Sequence, residues 1–187
     1  MNEKTVSINR AVSLLNQGAV GVMPTDTVYG VVSRATDQSA VERMYALKSR
    51  ERKPGTLIAA TIHQLRLLSV PQIEIDKVKR WWPNPISAVL IMNGNAYLHQ
   101  GVGDIAMRVV ANPEIKKVLE QTGPLITSSA NLPGKPSATT VAEAYAYFGD
   151  AVDFYVDGGQ IADALPSTII RPHGDGIDIL RQGSVTL

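Results

Sequence analysis

The sequence predicts an α/β fold, α+β-like in places: a single open domain over residues 1–187, with a twisted, mixed β-sheet and flanking helices. Three observations predict it. Segments of helical period and segments of strand character are interleaved along the whole chain. With 187 residues, 44% of them apolar, the chain can build one sizeable core and not two. No internal repeat, low-complexity tract or linker divides it.

Each element follows from a local pattern. Ile8, Ala11, Val12 and Leu15 recur at helical spacing, and Gly18 is a stop. Residues 19–23 are an apolar run that reads as a strand. Pro24 has no N–H for a ladder and ends it, and Tyr29-Gly30 is where the chain is expected to turn back. Asp37 caps a second helix, with Val41, Met44 and Tyr45 as its buried stripe. Lys48 falls one turn further along that stripe, which aims it at the rim of the core. Residues 56–61 read as a strand and 63–68 as a short helix. Ile75, Val78 and Trp82 mark a helix ended by Pro83-Asn84-Pro85. Residues 86–92 are an apolar strand, followed by the turn signal Asn93-Gly94-Asn95. Residues 105–110 form a strand with one charge, Arg108. Asn112 and Pro113 have the order of an N-cap and first helical residue, for a helix bearing Ile115, Val118 and Leu119 and closed by Gly123. Residues 125–128 are a strand. Thr140 caps the helix of Val141, Ala144, Tyr145 and Phe148, which ends at Gly149. Strands at 152–156, 167–171 and 177–180 complete the sheet.

Composition excludes several functions. Eighteen Lys and Arg against seventeen Asp and Glu give a net charge of +1, which is not the balance of a protein that holds long nucleic acid by bulk charge. There is no cysteine, so disulfides, thiolate catalysis and zinc–sulfur sites are excluded. His63, His99 and His173 are scattered, which disfavours a histidine base or metal site. Neither the phosphate-loop nor the dinucleotide-binding glycine pattern occurs, and no nucleophile elbow surrounds Ser128 or Ser129. Residues 1–5 lack the apolar core of a signal peptide, and no run approaches the roughly 18 apolar residues of a membrane span. A cytoplasmic protein is expected.

Chemistry must then come from positioning and charge. Pro24-Thr25-Asp26-Thr27-Val28-Tyr29-Gly30 puts hydroxyls and a carboxylate at a strand end, where open α/β proteins hold small ligands. A plain turn around Asp26 is the alternative. Lys48-Ser49-Arg50-Glu51-Arg52-Lys53-Pro54-Gly55 places four cations within six residues at a helix C-terminus and closes on a defined turn. Such cations suit the helix dipole, and they also suit a polyanion such as a triphosphate. Thr127-Ser128-Ser129-Ala130-Asn131 again runs a strand into hydroxyls, followed by a Gly/Pro loop as far as Ser137. Arg108, if it faces inward, requires an anion, and a substrate carboxylate would serve. Ser167 and Arg181 stand at strand termini.

Taken together, these residues resemble the YrdC-like family of threonylcarbamoyl-AMP synthases. The resemblance spans Ala19 to Gly183. It rests on seven blocks in the family's order: Pro24 to Gly30, Lys48-x-Arg50, Trp82-Pro83-x-Pro85, Ala106-Met107-Arg108-Val109, Ser129-Ala130-Asn131-x-x-Gly134, Ser167-Thr168 and Leu180-Arg181-x-Gly183. The resemblance implies a deep basic cleft. It also implies synthesis of threonylcarbamoyl-adenylate and pyrophosphate from L-threonine, bicarbonate and ATP with Mg²⁺, for tRNA modification beside the anticodon. By resemblance, Thr27, Arg108, Thr127 and Ser167 hold threonine. Lys48, Arg50, Pro54, Ser129, Ser137 and Arg181 hold ATP, with Lys48 and Arg50 catalytic, and no residue is assigned to the metal. Handover to a tRNA threonylcarbamoyl transferase complex and weak RNA binding are further implied partners, with no membrane.

The chain departs from the family's pattern in places. Glu51 replaces a common proline, Arg52 adds a cation, Ala59 stands where some members have histidine, and Asn84 replaces glycine. Two rival readings remain at this point: carbamoyl-adenylate chemistry of the hydrogenase-maturation type, and a non-catalytic RNA-binding module.

Overall fold

The structure, a computed structural model, describes residues 3–49, 52–161, 165–174 and 176–187. In chain order its strands are β1 (Gly21–Pro24), β2 (Tyr29–Arg34), β3 (Thr56–Ala59), β4 (Ile86–Ile91), β5 (Asp104–Val109), β6 (Leu125–Ser129), β7 (Phe154–Tyr155), β8 (Thr168–His173) and β9 (Gly176–Arg181). The helices are α1 (Ile8–Asn16), α2 (Gln38–Leu47), α3 (Ile62–Leu67), α4 (Gln72–Val78), α5 (Ala96–His99), α6 (Pro113–Thr122) and α7 (Val141–Phe148). Among the described residues the strands form one sheet in the order β7-β1-β2-β6-β3-β5-β4-β8-β9. The pairing is mixed: β1–β7, β3–β5 and β4–β8 are parallel and the other neighbours antiparallel.

The helix starts obey their caps. Asp37 accepts from the Ala40 N–H at the head of α2, Asn112 from Glu114 and Ile115 at α6, and Thr140 from Glu143 at α7. Gly123 ends α6 at φ +76°, a conformation that suits glycine.

Strand alternation then splits the core into two layers. Val31, Leu57, Ile126 and Met107 face one side, where they meet Val41, Met44 and Tyr45 of α2. Val32, Ile58 and Leu125 face the other, against Ala11 and Leu15 of α1 and Ile115 and Leu119 of α6. Each of these large side chains contributes about 1.5–3 kcal/mol by leaving water.

Two expectations are corrected. Tyr29-Gly30 is not the turn: residues 29–34 are β2, antiparallel to β1, and Pro24 pairs with Tyr29. The turn is residues 25–28, closed by the Thr25 N–H to Val28 O at 3.0 Å. Residues 29–33 are all buried, so β2 has no polar alternation to betray it. The second correction is α5, a single helical turn after Asn93-Gly94-Asn95 that carries the buried Leu98. The Trp82–Pro83 peptide is cis, and the Trp82 indole N–H donates to Ile86 O at 2.8 Å.

Candidate active site

The β1–β2 turn lies beside the end of β6, because Gly30 is registered with Ser129. Alternation places Thr127 and Ser129 on the face of Leu125, and Ser128 on that of Ile126. Gly30 allows the approach: a Cβ there would stand 2.4 Å from Thr127 Oγ1 and 2.9 Å from Thr25 Cγ2. Thr27, Arg108, Thr127 and Ser167 line one hollow of about 90 Å³, together with Ser129 and Arg181. The four residues assigned to threonine, from four separate segments, are thus brought together.

Arg108 does face inward, and the chain supplies its anion. Its Nε–H donates to Asp26 Oδ2 at 2.9 Å, and Nη2–H donates to Asp26 Oδ1. The two side chains are only 3% and 4% exposed. Arg108 Nη1 also donates to Ser87 Oγ at 3.3 Å, and Ser87 Oγ lies 2.9 Å from Ser167 Oγ. Arg181, at the end of β9, donates through Nη2 to Ser167 O at 2.8 Å. Burial, and then the charge of Arg108, lower the pKa of Arg181.

Lys48 follows α2 at its C-cap and is 4% exposed. Its ammonium donates to Ser129 O at 2.7 Å, to Asn131 Oδ1 at 2.8 Å and to Asn131 O. Asn131 Oδ1 also accepts from Ser129 Oγ at 2.7 Å, and Asn131 Nδ2 donates to Lys135 O. Lys48 therefore holds the chain after β6 in a fixed bend. Lys48, Lys53, Ser129, Asn131 and Gly134 line a second hollow of about 280 Å³. Ser129 belongs to both hollows, so a small polar ligand and a larger anionic one can lie side by side.

The remaining assigned residues are more dispersed. Pro54 lines a third hollow, which shares Gly55 and Arg181 with the first. Ser137 is half-buried further along the 131–138 segment and lines neither of the first two hollows. Arg50 and Glu51 lie outside the described residues. Ala59, at the position where some family members have histidine, is sealed in the apolar core.

From sequence, Asp26 is a strand-end carboxylate or a turn residue and Asn131 part of a polar loop; neither is tied there to Arg108 or Lys48, and Ser87 has no role. For Ser87 the sequence offers one signal, a lone hydroxyl inside an apolar strand. No three His, Cys, Asp or Glu side chains gather to hold a metal among the described residues. Asp26, the carboxylate beside the hollow, is committed to Arg108. These donors do not fit a resident metal ion.

Fold and site thus define a mixed-sheet α/β protein with a small polar hollow adjoining a second one that Lys48 and Lys53 help line. The Sua5/YciO/YrdC family model, described as "Telomere recombination", matches residues 13–183, and the chain belongs to this family. It is 34% identical over 171 residues to the threonylcarbamoyl-AMP synthase of Pseudoalteromonas translucida, covering 87% of this chain and 91% of that protein. Among solved structures, P. abyssi Sua5 complexed with L-threonine superposes with a TM-score of 0.83 at 30% identity. That match covers 94% of this chain and 54% of Sua5, so this chain spans about half of Sua5's length. E. coli YciO superposes at 0.80 with 27% identity, covering 94% of this chain and 88% of YciO. The family is the one its sequence blocks resemble. No helix among the described residues is long and apolar enough to cross a membrane.

Proposed function

We propose that this chain is an L-threonylcarbamoyladenylate synthase, a nucleotidyltransferase that converts L-threonine, bicarbonate and ATP to threonylcarbamoyl-AMP and pyrophosphate. The observation that carries this reading is the convergence of Thr27, Arg108, Thr127 and Ser167 on one hollow that adjoins Lys48 and Asn131 through Ser129. The name of the Pseudoalteromonas relative and the threonine in the Sua5 crystal support it.

Threonine would sit in the first hollow, its carboxylate against Arg108 and its hydroxyl among Thr27, Thr127 and Ser167. Its amino group attacks the carbon of bicarbonate, giving a carbamate and water. A carbamate oxygen then attacks the α-phosphorus of ATP in line, and the bond to the β-phosphate oxygen breaks to release pyrophosphate. The charge grows on the leaving phosphates. Lys48 and Arg181, which line the hollows, supply positive field, and Ser129 adds a polar contact; Arg50, Ser137 and Pro54 join the ATP set by family resemblance alone. Lys48 acts partly through the bend it holds, since Ser129 and Asn131 carbonyls take its donors. Mg²⁺ would come with ATP and would offset charge on its phosphates. The reading places the protein in the cytoplasm, upstream of a transferase that moves the threonylcarbamoyl group to tRNA.

The test is pyrophosphate release with threonine, bicarbonate and ATP, with the adenylate identified by mass spectrometry. Release should require threonine, and carbamoyl phosphate should not replace it. Lys48→Ala and Arg50→Ala should each cost on the order of a hundredfold or more in rate. Threonine-independent release, or release driven by carbamoyl phosphate alone, would overturn the reading.

A further inference from the structure

Asp26 and Ser87 belong to neither the threonine set nor the ATP set, yet both are bound to Arg108. We propose that Asp26 and Ser87 are positioning residues that lock the Arg108 guanidinium in one orientation, presenting its uncommitted N–H groups to the carboxylate of the amino-acid substrate. This inference rests on the synthase reading and adds two residues to it.

A guanidinium has five N–H donors in a rigid plane. Two are taken by the Asp26 carboxylate and one by Ser87 Oγ. One N–H then remains on each terminal nitrogen, enough for two charge-assisted bonds to a carboxylate. The orientation is over-determined, because Asp26 comes from the β1–β2 turn and Ser87 from β4. Ser87 stands between the buried apolar residues Ile86 and Ala88, where packing alone asks for no hydroxyl.

Asp26 also settles an electrostatic conflict. Arg108 and Arg181 approach the same pair of serine hydroxyls, Ser87 and Ser167. Two guanidiniums lining one hollow repel, and a buried cation such as Arg108 without a counter-ion is costly. The Asp26 carboxylate offsets both effects. A continuous line of polar contacts, Asp26–Arg108–Ser87–Ser167–Arg181, thereby links the hairpin turn to the last strand. With Arg108 neutralised in place, recognition of the substrate carboxylate depends on directed hydrogen bonds more than on net charge.

The experiment titrates L-threonine and ATP, each alone, into wild type, Ser87→Ala, Asp26→Asn and Asp26→Glu, with a thermal melt of each. Ser87→Ala should weaken threonine about 3- to 10-fold, the value of one neutral hydrogen bond. Asp26→Asn should weaken it about 10- to 150-fold, the value of a charged one, while ATP affinity stays within about twofold. Asp26→Glu should recover part of the loss, because it keeps a carboxylate for the fork. Unchanged threonine affinity in both Ser87→Ala and Asp26→Asn overturns the inference, as does a parallel fall in ATP affinity. If Asp26→Asn does not fold, Ser87→Ala decides alone. Wild type that binds no threonine at all defeats the synthase reading, whereas wild-type binding with unaltered variants defeats only this inference.

Discussion

Gly30 borders the hollow with no room for a side chain. A methyl group there meets Thr127 Oγ1 at 2.4 Å and Thr25 Cγ2 at 2.9 Å, both on residues that line the hollow. Gly30→Ala should therefore displace the Thr127 hydroxyl and the Thr25 methyl and cost about 1–3 kcal/mol in stability, and under the synthase reading it should weaken threonine binding. A denaturant melt and a threonine titration check this. Unaltered values in both would show that the β1–β2 turn relaxes freely. At this scale the sequence was informative for lone residues and silent for pairs. Lys48 could be placed at the core's rim because it continues the stripe of Val41, Met44 and Tyr45, and it is buried there. The need of Arg108 for an anion was legible too. That the anion is Asp26 was not, because the partners are 82 residues apart and nothing local connects them.

The elements are held at ends that local chemistry selects. Asp37 accepts from the Ala40 N–H at the head of α2, and that bond is the chief cause of its lowered pKa. Because the folded pKa is depressed, the contribution of Asp37 is complete above its unfolded value and is lost as pH falls through the folded one. Asp37→Ala should cost about 1 kcal/mol near neutral pH. The gap from wild type should narrow on acidification below the ordinary value of 3.8. Paired melts across that range are the measurement, and a pH-independent gap would assign the cost to packing. α2, α6 and α7 were readable because Asp37, Asn112 and Thr140 announce their starts. β2 was not readable, since a strand buried on both faces has no period-2 signature and follows directly on a polar turn. α5 is too short to show a helical period.

Across the whole molecule, the two hollows share a wall at Ser129. Occupation of one should order the wall of the other. Threonine and ATP should then each raise the other's affinity by about 5- to 150-fold, the usual range of coupling between sites. Calorimetric titration of each ligand with and without the other measures it, and independent binding would show that the shared wall is already rigid. The sheet order carries a different consequence. β6 sits between β2 and β3, so Val31 must find Ser128 and Leu57 must find Ile126 across long stretches of chain. On the ribosome, the early hairpin can zip up by itself, but the middle of the sheet must wait for residues near 130 to emerge. Until then Leu57 and Ile58 lack β6, one of the two strands that later flank them, and before residue 109 they lack β5 as well. Nascent chains stalled before that length should accordingly be captured by chaperones and cut by proteases, and those released beyond it should resist both.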